Sequence, residues 1–548
     1  MPRRSPKQGS TSLFDVLIVG SGASAVHAAL PLARAGWRVA LVHPATDSDE
    51  EPASVPKSDF LTLRRTDEEQ HRYFLGEDFS GVPFGPVRAG AQLTPTRARV
   101  ARDLGPLSAI RSPGFSAVQS FVAGGLGDAW GASVMPWTDD DMHGWPVTRA
   151  DLQPHYEAVA REIGVCGPKQ DDLSEWLGPA VPHLPPAKPD SNGEFLLRRA
   201  RADRPRLHEF GLRVGHPRLA VATKPHNDRG PLQYRDLEFW SDPDRAVYRP
   251  RFTLEELRAF PNVQIMGGLI AQSVQRTAGH LEVQCLTVDG NASRSLNARK
   301  VILAAGTLNT TRVVLRSLDR YGVDVPLLSN PYTYFPCLLL SRIGAPTRDR
   351  RHSLTQVTML FDPDGTRRAL VQPQAYSYRS LMLHRILKEA PLPHREAIRL
   401  MRLFSEYFMI IGVFHPDTHA PSKRLRLLRG DAPRFDILDI RYKPAGGEAH
   451  QRRLIERRLA RLFRSLGAWP LKRILPGEGA SIHYAGTLPM SEERGDLTTS
   501  REGELHALPG VFVADGSVFP TLPAKGLTFT LMANARRIAM ALLSPTQP

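Results

Sequence analysis

The sequence predicts an α/β protein whose main sheet is drawn from both ends of the chain. Residues 14–42 change period as a βαβ unit does: FDVLIVG is a short apolar run, SAVHAALPLARAG is helical and WRVALVH is a second run. Near the other end, VFVADGS reads as a strand followed after a short loop by a helix with Thr528 near its start. Between them a helix beginning at Phe252 precedes PNVQIM, LEVQCLTV and ARKVILAAG, three strands returning to a sheet.

The first strand-helix junction is Gly20-Ser-Gly22-Ala-Ser-Ala25. The first glycine permits the tight turn, the second lets the backbone approach a pyrophosphate, and Ala25 allows close helix packing. The helix N-terminus adds N–H groups and a positive dipole. No acidic residue for a ribose ends the second strand, which reads Leu41-Val42-His43. His43 either bonds the ribose hydroxyls or is a loop histidine. In FVAGGLGDAWGA, Gly124, Gly125, Gly127 and Gly131 let backbone lie against a flat ligand that Trp130 can cover.

The remaining elements follow in order. Pro44 to Phe60 is polar and proline-containing, a loop. Thr148 is placed to cap a helix whose apolar stripe includes Leu152, Tyr156 and Val159. From Pro168 to Pro250 prolines and charges are frequent and periodicity is weak, which predicts loop-rich substrate-side structure. The region from about 326 to 477 mixes short strands with helical stretches, and Tyr376, Tyr378, His384 and Arg385 within it carry no recognisable substrate code. One helix, Gln451 to Leu466, sets Leu454, Ile455, Leu459, Leu462, Phe463 and Leu466 on one face, with Gly467 and Pro470 ending it. That pattern suits a domain helix packing inward, and more weakly a membrane-surface helix.

Bulk properties narrow the classes. A chain of 548 residues exceeds what one core usually fills, which predicts two connected domains. The net charge of +15 favours anionic ligands, yet no motif that reads nucleic acid accompanies it, so a solvated basic surface is expected and nucleic acid is not. Cys166, Cys285 and Cys337 lack any C-x-x-C spacing, which argues against disulfides and a zinc site and predicts no metal. The N-terminus has no separate apolar stretch of the kind a signal peptide carries, and no apolar run approaches the ~20 residues needed to span a bilayer. A cytoplasmic protein is expected.

With the glycine motif, the glycine-rich segment, KVILAAGTLNTTRVVLRS, the H-x-x-G-T of HYAGT and the D-G-S-x-F-P-T of the last block in order, the chain resembles the glucose-methanol-choline oxidoreductase family. The resemblance covers both ends and residues 298–317 well, and the middle in outline. It implies an α/β fold with a discontinuous Rossmann-like FAD-binding domain, residues 1–165, 246–325 and 478–548. An α+β substrate-binding domain on a mixed or antiparallel sheet would hold 166–245 and 326–477. It implies FAD held by Gly20, Gly22, Ala25, Gly125, Asp515, Gly516 and Ser517. Ala129 stands where some members carry a flavin-linking histidine, so the FAD is expected to be non-covalent.

His483 occupies the family's catalytic histidine position. An imidazole there can take the proton of a substrate CH–OH as hydride leaves for flavin N5, which predicts oxidation of a sugar-like or other hydroxylated small metabolite. The family's second histidine or asparagine falls at Gly526, which has no side chain; Lys525 or Tyr484 is the available substitute. That vacancy leaves two alternatives open: non-standard flavin chemistry (desaturation, oxidative cyclisation or redox-neutral reaction) and a flavin-binding protein without turnover. The partner is a small molecule; the electron acceptor is not legible.

Overall fold

The computed structural model describes residues 13–46, 54–77, 93–101, 103–179, 181, 183–346, 351–377, 392–393, 395–397, 399, 404–430 and 435–544. Tyr378, His384 and Arg385 therefore lie outside the described residues.

Both chain ends meet in one seven-stranded sheet. Phe14–Val19 pairs in parallel with Val39–Val42 on one side and Ser293–Leu303 on the other, and Val263–Met266 extends the first side. Apart from Asp15 near the start of the first, the residues of the central strands are apolar because both faces are covered. Val16 and Ile18 point toward Ala-rich helix Ala23–Arg34 and helix Thr528–Leu543, while Leu17 and Val19 point into the larger core on the opposite face.

Ser293–Leu303 is long enough to serve two further partners besides Phe14–Val19. Its last residues pair in parallel with Val511–Val513, and its first residues pair antiparallel with Leu281–Thr287. The sequence predicts three returning strands, but there are four: Leu269–Arg276 pairs antiparallel with Leu281–Thr287. A register shift between Ala271 and Ser273 breaks the two-residue alternation that would have disclosed it.

A second, six-stranded sheet is antiparallel throughout, in the order Trp469–Pro470, Tyr332–Leu338, Phe408–Phe414, Gln372–Tyr376, Val357–Phe361, Leu212–Gly215. Helix Glu448–Ser465 covers one face, packing Leu459, Leu462 and Phe463 against Phe335, Cys337, Met409, Ile411 and Val413. It is an inward-packing helix, as its pattern suggested, except that Leu454 points away and is 45% exposed. At 100° per residue Leu454 lies far around the helix from Leu459. The alternate residues of the same strands form the other face, which opens into a cleft.

The stretch from 168 to 250 is more ordered than its composition suggests. Helix Ser191–Ala202 is capped by Asp190, whose carboxylate accepts the N–H groups of Asn192 and Gly193, and buries Phe195, Leu196 and Leu197. Leu212–Gly215 is the last strand of the antiparallel sheet. Thr148 does cap Arg149–Ile163, in a reciprocal box with Asp151, and Leu152, Tyr156 and Val159 are buried. A four-stranded sheet of Ile110–Arg111, Asp436–Tyr442, Lys423–Arg429 and Val325–Pro326 completes the frame. All three cysteines are buried and free. No helix among the described residues is long and apolar enough to cross a membrane.

Candidate active site

One extended cleft lies between the open face of the antiparallel sheet and the ends of the parallel strands. It encloses about 2450 Å³ of atom-free space, its mouth included. The part of it open to the centre of a water molecule is about 330 Å³, at the lower end of the about 300–1,000 Å³ typical of small-molecule pockets.

At its parallel-sheet end three helices begin: Ala23–Arg34, Thr307–Ser317 and Thr528–Leu543. None has a side-chain cap or an acidic residue in its first turn, so their leading N–H groups face the cleft unneutralised. Gly20, at φ +122°, sits where a Cβ would stand 2.3 Å from the Ala304 carbonyl oxygen, so glycine is required by both conformation and space. Gly22 bridges to Gly124, and a Cβ on Gly125 would reach the Cα of Gly22 at 3.5 Å. The two glycine motifs thus form one continuous backbone wall. Beside it, the buried Ser120 hydroxyl and the Gln119 side-chain oxygen have no hydrogen-bond partner. This donor-rich, glycine-walled end fits the anionic, hydrogen-bonding body of FAD.

The C-terminal motif is held by its own carboxylate. Asp515 is buried; burial raises its pKa, opposed by the Thr310 hydroxyl at 2.5 Å, the Ser517 hydroxyl at 2.7 Å and the Ser517 N–H. A Cβ on Gly516 would lie 2.6 Å from the Tyr484 carbonyl oxygen, so this glycine answers a close backbone approach. Gly20, Gly22, Gly125, Asp515, Gly516 and His483 all line the cleft. Ala25 and Ser517 do not: Ala25 packs in the helix core and Ser517 supports Asp515. His43 is buried off the cleft wall, although Val42 and Pro44 line it.

Two motifs recognised separately prove to be one unit. The Thr311 hydroxyl donates to Thr487 at 2.7 Å and the Thr307 hydroxyl to the Tyr484 carbonyl at 2.7 Å, tying TLNTT to HYAGT. Tyr484–Ala485 pairs antiparallel with Leu328–Ser329, and one step further the register sets Asn330 against His483.

Sequence reasoning missed Asn330. Its side-chain oxygen lies 2.9 Å from His483 Nδ1, while its amide nitrogen donates to the carbonyls of His415 at 2.8 Å and Pro523 at 3.0 Å. Those two acceptors set the amide's orientation, so the oxygen faces the ring and the proton is assigned to Nδ1. Nε2 is then the lone-pair nitrogen. The ring stacks on Phe414 at 5.3 Å and 17°. Burial pushes His483 down to about 4, so the imidazole is neutral at pH 7. Ile482 precedes it at φ +60°, a conformation that costs a β-branched residue about 1–3 kcal/mol.

Neither proposed substitute at Gly526 is available. Lys525 is buried and donates to Asp141 at 2.6 Å and to the Trp176 carbonyl at 2.7 Å, away from the cleft. Tyr484 lines the cleft, but its hydroxyl donates to the Ser116 carbonyl at 2.6 Å and accepts the Val118 N–H. Gly526 itself leaves room, with a Cβ no nearer than 3.9 Å to the Ser133 carbonyl oxygen.

Known proteins agree with this frame. Residues 472–535 match the C-terminal family model described as GMC oxidoreductase. The 6'''-hydroxyparomomycin C oxidase of Streptomyces lividus is 24% identical over 428 residues, 73% of this chain and 72% of that protein. The paromamine 6'-oxidase of Streptomyces fradiae is 23% identical over 419 residues, again 73% and 72%. A crystal structure of pyridoxine 4-oxidase from Mesorbium loti superposes with a TM-score of 0.58 at 16% identity, covering 96% of this chain and 99% of that one, which shows a shared fold. Residues 472–535 thus match a GMC oxidoreductase C-terminal domain, and over most of its length the chain is similar to oxidases.

Proposed function

We propose that the protein oxidises a CH–OH group of a sugar-like or other hydroxylated small metabolite, with non-covalent FAD as hydride acceptor and His483 as base. The observation that carries this is the pairing of His483 with Asn330 inside the cleft where three uncapped helices begin. Gly20, Gly22, Gly125 and the backbone of Asp515–Gly516 hold the cofactor, with Ala25 and Ser517 supporting that wall from behind; Ala129 offers no nucleophile for a covalent link.

Bound FAD supplies the two-electron acceptor. The rest falls to the chain. Asn330 keeps the His483 proton on Nδ1, so Nε2 accepts the substrate hydroxyl proton as the carbon loses hydride and the alcohol becomes a carbonyl. The low proton affinity of the ring keeps it ready at neutral pH and favours its later release of the proton. The division into an FAD domain (1–165, 246–325, 478–548) and a substrate domain belongs to this reading, as does a cytoplasmic place, supported by three free cysteines. Gly526 favours a second reading: with space and no partner opposite the base, a bulkier substrate or a reaction other than simple alcohol oxidation fits there.

The test is an anaerobic flavin-reduction screen across sugars, cyclitols and aromatic alcohols, with product masses. Bleaching with a product two hydrogens lighter supports alcohol oxidation. A product of unchanged mass, or no reduction by any alcohol, removes it.

A further inference from the structure

The open face of the antiparallel sheet is a register of side chains. Tyr332, Phe414 and Gln372 stand directly opposite one another across three strands. One step along come Tyr334, Gly412 and Gln374, and then Ile410 and Tyr376. A Cβ on Gly412 would lie 2.1 Å from the Tyr332 hydroxyl, so this glycine lets the tyrosine lie across the sheet. Tyr332 stacks on Phe414 at 4.2 Å, and Phe414 stacks in turn on His483.

The two glutamines of this face differ. Gln374 is spent: its nitrogen donates to the Ser133 hydroxyl, and its oxygen accepts from Tyr376 at 2.5 Å and from Thr355. Gln372 lines the same cleft, is fully buried, and has neither its nitrogen nor its oxygen bonded. A buried amide left unpaired forfeits the hydrogen bonds that both of its polar groups make in water. No element of the fold recovers that loss, whereas a ligand with one accepting and one donating hydroxyl does.

Charge narrows the ligand. Among the described lining residues the ionisable groups other than tyrosines are Arg312, Arg316, His483 and Asp515. Both arginines are paired to Asp436, and Asp515 is committed to Thr310 and Ser517. No carboxylate among them is free to meet an ammonium group, and the chain as a whole carries +15.

We infer that Gln372 is a specificity-determining residue that grips adjacent hydroxyls of a neutral, ring-shaped polyol or glycoside stacked on the aromatic row beside His483, and that the site rejects cationic amino sugars. The inference rests on the alcohol-oxidation reading of this site.

The experiment uses FAD-loaded wild type and Gln372→Leu. Probes are methyl glucopyranoside, methyl galactopyranoside and myo-inositol, the monodeoxy analogues of the tightest binder, and its 6-amino-6-deoxy analogue. Affinity is read from anaerobic flavin reduction, or from competition for a compound that is not oxidised. We expect the neutral sugar to bind at least about tenfold better than the amino sugar, and one deoxy analogue to lose about tenfold in wild type and nothing in Gln372→Leu, the size of one hydrogen bond. Without sugar, the FAD-loaded variant should melt no lower than FAD-loaded wild type, because the amide it loses has no partner. Preference for the amino sugar, an unchanged deoxy penalty in Gln372→Leu, or a melting point lower by more than about 2 °C overturns the inference. Flavin reduction by aromatic alcohols with no binding of any neutral sugar also overturns it, while leaving alcohol oxidation in place. Failure of every alcohol to reduce the flavin removes the function reading itself.

Discussion

Replacing Asn330 tests how the base is held. Asn330→Leu keeps the side-chain volume but removes the 2.9 Å contact to His483 Nδ1 and the two amide donations to the carbonyls of His415 and Pro523. Leaving buried acceptors without donors at about 1 kcal/mol or more each makes a loss of about 2–4 kcal/mol of stability. The freed imidazole can rotate or move its proton to Nε2, where it no longer accepts from substrate. Misplacement on that scale costs about 10²-fold at most, so flavin reduction by the true substrate should slow about 10- to 100-fold with FAD still bound. Asn330→Asp supplies the contrasting sign. A carboxylate beside Nδ1 stabilises the imidazolium and raises the His483 pKa from about 4 by roughly 1–3 units. Activity should then fall on the acid side, more at pH 5 than at pH 8. Stopped-flow reduction under anaerobic conditions, with FAD content and melting temperature, separates these effects. Asn330→Leu at the wild-type rate, or Asn330→Asp with an unmoved acid limb, would refute the orienting role.

Three further outcomes follow from the packing. Lys525→Met strands Asp141 in a buried site and should cost about 3–5 kcal/mol, read as a lower melting temperature, without moving the acid limb of the pH profile. Gly20→Ala should abolish FAD retention or soluble expression, since the methyl carbon would meet the Ala304 carbonyl; a normal yellow protein would contradict the geometry. His155, His352 and His483 are each held by burial near 4 against an ordinary 6.5. Unfolded chains take up these protons first as pH falls, so stability should be level above about pH 7, decline from 6.5 toward 4 by up to about 1.4 kcal/mol per unit for each histidine, and level off below. Melting temperatures of wild type and His483→Gln at pH 7.5 and 5 should differ in slope by one histidine's share.

Much of the frame could be read without coordinates because local pattern and global fold agree there. The first βαβ unit, the capped helix at Thr148 and the Asp515 turn each announce themselves within a few residues. What escaped notice depends on breaks in period or on distance. Leu269–Arg276 was hidden by its irregular register, and helix Ser191–Ala202 by its proline-rich flanks. Leu454 fits an apolar stripe as written yet faces solvent.

The site divides the same way. His483 and the glycines carry motifs, but Asn330 is 153 residues from His483, and only the pairing of Leu328–Ser329 with Tyr484–Ala485 brings them together. The sequence shows Lys525 beside Gly526 and cannot show that its amine turns away to Asp141. Gln372 and Gln374 look alike as letters; only the strands around them reveal which amide is already bonded.

Single-turnover reduction of the bound flavin by the identified alcohol, in wild type and His483→Ala side by side, tests the central claim most directly. The account predicts that both proteins retain FAD, that wild type bleaches to completion, and that His483→Ala bleaches at least about 10²-fold more slowly, the usual size of an acid-base contribution. Equal rates in the two proteins would contradict His483 as the base.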